Sequence, residues 1–451
     1  MRTIAIIGGG FSGSILAAQL LRRGRTASLV HLIEAGGRPG PGLAYGTGHP
    51  AHLLNVPAGN MSALPEEAEH FLRWARTTTP QAASDSFLPR RLYGEYLSST
   101  LEEARRSSPL RLETSAERIS GLGEKDGRFV LRFGARGALE ADFVVLAMGN
   151  YPSRPPFAIE AGAEEHPGFI ADYARARERR IEPDASILLV GTGLTMVDAL
   201  LELAAQKHRG PILAVSRRGA VSGAHQLPLR PYPFFLEPLP DSARSLVRLT
   251  RREIEKAASN GFGWQSVVDS LRLRTNEIWA RLDGAEKGRF LRHARPYWDS
   301  SRHRMAPEAR DVVSLLRGEG LLEVKAARVL SVRVSSGRKL EAELKPRNST
   351  ALETVAVDWV INCTGPENDL SRAKSPLIAS LLKDWAVLDP LSMGFQVNPE
   401  NGAVVDARGM ESKRLFVLGP LRKGTLWETT AVPELREQAR RTAEELLGMV
   451  G

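Results

Sequence analysis

At 451 residues, with 42% hydrophobic and 25% charged residues, the chain exceeds one ordinary core and predicts a globular protein of two domains. No apolar run reaches a membrane span, and the single cysteine, Cys363, excludes a disulfide framework, a C-x-x-C redox pair and a cysteine-based zinc site. The formal charge of +9 suits anionic ligands and comes with no nucleic-acid module; a strand and glycine loop at the very N-terminus set the expected compartment as cytoplasmic.

Residues 2–7 read as a short buried parallel strand running into Gly8-Gly9-Gly10-Phe11-Ser12-Gly13 at the mouth of a helix that Gly24 stops. Residues 28–33 form the next strand, ending at Glu34. Strand, G-x-G-x-x-G, helix, strand and acid in this order make a dinucleotide site. The glycines allow a tight turn, close approach of a pyrophosphate and helix-on-strand packing, and the helix start offers unpaired N–H groups. Glu34 suits the two hydroxyls of an adenosine ribose. A turn-rich loop over 36–47 and the segment 52–62 follow, where Asn55, Met61 and Ser62 are candidate contacts to the cofactor or parts of an ordered connector. Helices are expected over 66–76 and 88–106, and antiparallel strands over 110–120 and 128–134. Residues 141–150 form an apolar strand delivering Gly149.

Beyond the prolines at 152, 155 and 156 the opening pattern repeats: strand 187–190, then Gly191-Thr192-Gly193-Leu194-Thr195-Met196 leading a helix, then strand 211–216. Glu34 follows Gly8 by 26 residues, and Arg217 follows Gly191 by 26, which argues for two dinucleotide sites. An acid at a strand tip repels a 2′-phosphate, whereas a guanidinium pairs with it. The first site is therefore expected to take FAD and the second, through Arg217 and Arg218, NADPH. The third glycine of the second loop is Met196. Asp198 is read as a cap, an interface residue or a contact to the flavin domain.

Residues 222–310 are too long for a plain connection and predict a basic, mostly helical insertion, with Trp264 and Trp298 as core. His225 and the 297–304 segment carry its candidates for chemistry. Arg292, Tyr297, Arg302 and His303 suit a small anionic substrate. His293 and His303 have no partner ligands at metal spacing, so no metal site is expected. Strands return at 321–334, 339–345 and 353–363, the last delivering Gly365. Strand 414–418 delivers Gly419 and the loop to Thr430, and a helix closes the chain from about Pro433. The expected architecture is α/β with two Rossmann-like domains. Residues 1–178 and 331–451 make a discontinuous FAD domain, and residues 179–330 an inserted NADPH domain.

The segments Gly40–Gly46, His52–Pro57, Pro89–Gly94, Gly191–Asp198, Ser216–Gly219, Arg289–His293, Arg302–Pro307 and Leu426–Pro433 resemble those of the bacterial FAD/NAD(P)-binding proteins of the YdhS type. Some relatives of that family are similar to N-hydroxylating flavin monooxygenases, including aspartate N-oxygenases. The chain lacks the F-x-G-x-x-x-H fingerprint of Baeyer–Villiger enzymes; His166–Tyr173 is the nearest stretch. The favoured expectation is a single-component flavin monooxygenase using NADPH and molecular oxygen to hydroxylate a small substrate, an amine or amino acid, through a flavin hydroperoxide. The alternatives are an NADPH-dependent reductase for a quinone or protein acceptor, and a non-catalytic redox-sensing or binding protein. No catalytic side chain stands out, since in such proteins the flavin carries the hard chemistry.

Overall fold

The computed structural model describes residues 2–25, 28–134, 137–176, 179–337 and 339–450. Two large sheets organise them. The first has the strand order Ala403–Val405, Glu411–Val417, Phe143–Leu146, Thr3–Ile7, Leu29–Ile33, Arg111–Ser115, parallel except at its Ala403–Val405 edge. Strand Thr3–Ile7 is buried on both faces, which is why it reads as an unbroken apolar run. Ile4 and Ile6 pack on Ile15, Leu16 and Leu20 of helix Phe11–Arg23, and on Leu435 and Ala439 of helix Val432–Val450. Ala5 and Ile7 face Phe129 and Leu131 of a small three-stranded antiparallel sheet, and Leu377 and Leu381 of helix Pro376–Asp384.

The second sheet orders Glu353–Val357, Leu340–Pro346, Leu322–Val334, Ile212–Ser216, Ile187–Val190, Trp359–Asn362 and Phe169–Ile170, with Ala158–Ile159 pairing Leu322–Val334. Its centre is parallel. Ile187 and Leu189 meet Met196 and Leu200, while Leu188 and Val190 meet Val329, Val332 and Leu344.

Two expectations need correction. The 110–120 segment is no partner of 128–134: Arg111–Ser115 is a parallel edge strand beside Leu29–Ile33, reached through helix Arg90–Ser107 as a βαβ crossover, and the antiparallel sheet is 121–125, 128–132 and 138–141. A boundary at 330/331 falls inside strand Leu322–Val334, and the strands over 340–362 belong to the second sheet. Trp359–Asn362 lies parallel beside Ile187–Val190 as Phe143–Leu146 lies beside Thr3–Ile7. The other expected boundary, at 178, lies outside the described residues. Smaller shifts affect the helix expected over 66–76, which spans His70–Ala75, and the closing helix, which starts at Val432.

Between strands Ile212–Ser216 and Leu322–Val334 the chain makes helices Ala243–Ser259, Trp264–Arg272, Thr275–Arg281, Gly284–Arg289 and Arg295–Arg302, with one apolar cluster of their own around Leu271 and Ile278 and another, around Trp279 and Phe290, shared with Met393 and Trp427. Among the described residues, no helix is long and apolar enough to cross a membrane.

Candidate active site

In the first unit the turn is tight by construction. Gly8 has φ +104° and its N–H donates to Ile33 O at 2.8 Å. A Cβ there would lie 2.3 Å from Ala147 O, and one on Gly13 only 1.8 Å from Gly8 O, so neither position admits a side chain without moving backbone. Gly10 begins helix Phe11–Arg23 with no side-chain cap and no acid in the first turn, leaving N–H groups and the dipole free for an anion. Phe11 and Ser12 are buried, with Phe11 stacked on Tyr93 at 6.3 Å. The Glu34 carboxylate accepts from Gly9 N–H at 2.6 Å and Gly36 N–H at 3.0 Å, and each oxygen retains a lone pair. Gly149, with φ +68°, follows the neighbouring strand; a Cβ there would meet nothing, so its left-handed backbone alone selects glycine.

The closing strand reaches the same place. Gly419 has φ +89°, and a Cβ on it would touch Ser12 Oγ. Thr429 Oγ1 donates to Gly419 O, and exposed Thr430 precedes helix Val432–Val450. Residues from both ends of the chain thus converge on the start of the first helix.

Of the connector candidates, Met61 is buried in the core, and the Ser62 hydroxyl is engaged by Leu64 and Glu67, so both support the loop from within. The Asn55 carbonyl accepts from His225 Nε2 at 3.0 Å, tying this loop to the insertion. Burial, then the Arg304 charge, holds His225 down to about 4, so its ring is neutral.

The second unit repeats the turn. Gly191 has φ +111° and donates to Val215 O at 2.8 Å; its Cβ would lie 2.5 Å from Cys363 O. Gly193 starts the helix carrying Leu194 and Thr195, again without cap or acid. Met196 stands fully buried where the first loop has Gly13. Gly365, at φ +81°, mirrors Gly149. At the strand tip Arg217 is held below its ordinary range by burial and by Arg218, Arg295 and Arg328, a like-charged group suited to a phosphate dianion. Arg218 lies 5.2 Å from the Tyr297 ring centre and donates to His293 O.

The repeat extends to a residue that spacing arguments passed over. Asp142 accepts from Thr3 N–H at 2.7 Å, and Asp358 accepts from Ser186 N–H at 2.8 Å. Each aspartate sits just before the third strand of its unit and fastens the start of the first. The matching segments Ala141-Asp-Phe-Val and Val357-Asp-Trp-Val were the available signal. Between the units, Arg90 clamps Asp198 through bonds of 2.7 and 2.9 Å, which settles Asp198 as an interface residue. Close by, buried His52 meets Glu202 at 3.3 Å and Thr47 Oγ1 at 2.7 Å. The insertion docks on the closing loop: Arg272 pairs with Glu434, Asn276 exchanges two bonds with the Glu428 backbone, and Trp279 Nε1 donates to Gly424 O.

Residues 5–151 match the model of the FAD-NAD(P)-binding family. The cofactor class of this unit is therefore FAD with NAD(P), and its free helix start and Glu34 fit that ligand chemistry. Similar solved structures span the whole chain. L-lysine 6-monooxygenase from Pseudomonas syringae shares 15% identity, with 100% of each chain covered and a TM-score of 0.66. Ornithine N-hydroxylase from Kutzneria sp. 744, described with reduced FAD, NADP+ and L-ornithine, also shares 15%, covers 100% of each and scores 0.64. Thioredoxin reductase from Lactococcus lactis shares 12%, with 100% and 99% covered and a score of 0.54. The fold is that of FAD/NAD(P)-dependent oxidoreductases. No curated protein matches the chain by sequence.

Proposed function

We propose that the chain is a flavin monooxygenase that holds FAD on the first unit and NADPH on the second, and hydroxylates a small molecule. The observation that carries this reading is the docking of the helical insertion on the Gly424–Glu434 segment, beside the start of the first helix. A partner-protein reductase needs an approachable flavin edge, whereas an oxygenase needs water kept from it. When bound, FAD supplies hydride acceptance and the activation of oxygen. The chain supplies the rest. Gly8 and Gly13 keep the turn tight, Gly10 admits the pyrophosphate, and Glu34 holds the ribose. Arg217 and Arg218 select the 2′-phosphate, Arg90–Asp198 keeps the two units in register, and the insertion roofs the site.

The test is oxygen uptake by the purified FAD-loaded protein with NADPH, screened against amines and amino acids. The expected result is a substrate that accelerates NADPH oxidation while the peroxide released per oxygen falls. Stoichiometric peroxide across the whole screen, with rapid reduction of a quinone, would transfer the assignment to a reductase.

A further inference from the structure

Outside the two glycine loops, the insertion and the closing loop gather a second group of charges around one indole. Trp427 is buried, with Trp279 at 4.8 Å and Phe290 at 5.3 Å between ring centres. Two cations face this ring, Lys423 Nζ at 5.2 Å and the Arg295 guanidinium at 5.9 Å. Arg295 has Asp299 at 3.1 Å, and Asp299 also lies 3.8 Å from His303. Glu428 is taken by Arg302 at 3.4 Å; both are buried, and Arg302 Nε has no partner. Lys423 is left with a neutral acceptor, Asn368 Oδ1, at 3.3 Å. Three cations thus share two carboxylates, Asp299 and Glu428, in a mostly buried setting. Arg295 also faces Arg217, so the basic strip of the second unit's strand tip runs on to Trp427.

We propose that Lys423, resting on Trp427, anchors a carboxylate of the small-molecule substrate, which makes that substrate a short carboxylic acid rather than a neutral or purely cationic amine. This rests on the flavoprotein reading above. The indole fixes the ammonium, and a ligand carboxylate would give Lys423 the anionic partner that Asp299 and Glu428, taken by Arg295 and Arg302, do not. Burial, then Arg295, lowers Lys423 to about 8, with Asp299 and Glu428 opposing. The ammonium is the binding form, so affinity is full below about pH 7 and is lost as pH rises through about pH 8. His303, held down to about 4 chiefly by desolvation, stays uncharged throughout this window.

The experiment is calorimetric titration of the FAD-loaded protein with succinate and, as the neutral control, succinamide. Succinate is expected to bind saturably and succinamide not. The succinate Kd should rise about ten-fold in all between about pH 7 and pH 9, most of it above about pH 8. Lys423→Gln should weaken succinate by at least about ten-fold, and Lys423→Arg should restore binding and remove the alkaline loss, because a guanidinium stays charged. Equal binding of succinamide, no succinate binding, or a Kd unchanged from about pH 7 to pH 9 in the unsubstituted protein would overturn the proposal. So would a Lys423→Gln protein that keeps succinate but needs far more NADPH, which would assign the lysine to the dinucleotide. A protein that binds no FAD, or whose FAD is not reduced by NADPH, overturns the flavoprotein reading instead.

Discussion

In the first unit the residue at the tip of the second strand is Glu34, engaged by Gly9 and Gly36; in the second the same place holds Arg217, crowded by Arg218, Arg295 and Arg328. Everything beneath the tips agrees. Gly8 and Gly191 both take left-handed φ values and both press against a carbonyl of the third strand's exit, Ala147 and Cys363. Asp142 and Asp358 fasten the two first strands alike. On the proposed assignment, this shared backbone plan sets where a dinucleotide lies, and one side chain at the tip decides which one. The units differ a second time at Gly13 and Met196, so the third glycine is a packing requirement of one loop and not of both.

The largest break in this comparison is expected from Gly13→Ala. Its Cβ would meet a backbone oxygen, so the first turn must open, and the protein should purify without flavin or fail to fold. In the second loop, Met196→Ala removes buried atoms and should cost about 2–5 kcal/mol of stability while leaving flavin in place. The flavin-to-protein absorbance ratio and a thermal melt distinguish the two; a yellow Gly13→Ala protein would show that the loops are interchangeable. Next comes Arg217→Glu, which makes the second tip resemble the first. Losing a charge-assisted bond worth about 1.5–3 kcal/mol should lower kcat/KM for NADPH by about 10- to 150-fold and bring NADH level with it or ahead. Unchanged preference in steady-state kinetics would remove the tip from cofactor selection.

The smallest effect concerns Asp358. Burial alone would raise its pKa, but Ser186 and Lys339 outweigh it and hold the carboxyl at about 2. With the folded value below the unfolded one, its stabilisation is complete above about pH 4 and lost as pH falls towards 2. The group is about a third exposed and solvent screens its ion pair, so Asp358→Asn should cost no more than about 1 kcal/mol at neutral pH. The difference from the unsubstituted protein should vanish in acid melts; a constant difference down to the lowest pH would point to packing instead.

Much of this plan was readable in the chain because it depends on local order: glycines at fixed offsets, apolar strands before them, and a charged residue after the next strand. What was misread depends on non-local pairing. Arg111–Ser115 has the composition of any edge strand, and nothing in it says whether its neighbour is Leu29–Ile33 or Arg128–Arg132. Trp359–Asn362 looks like a strand of either unit, and only its register beside Ile187–Val190 assigns it. Arg90 and Asp198 are 108 residues apart, and Lys423 became a candidate only once Trp427, Arg295 and Asn368 were seen around it.

The first sheet takes Thr3–Ile7 from one end of the sequence and Glu411–Val417 from the other, and helix Val432–Val450 packs on helix Phe11–Arg23. On the ribosome this orders events. The second sheet, drawn entirely from residues 158–362, can assemble while the remainder is still being translated. The first glycine loop is made before the second sheet, yet it waits until Gly419 arrives beside Ser12 and the closing helix covers it. Completion of the first unit thus depends on the segment from Glu411 onward, and a chain cut before that residue would leave a finished second sheet beside an open first one.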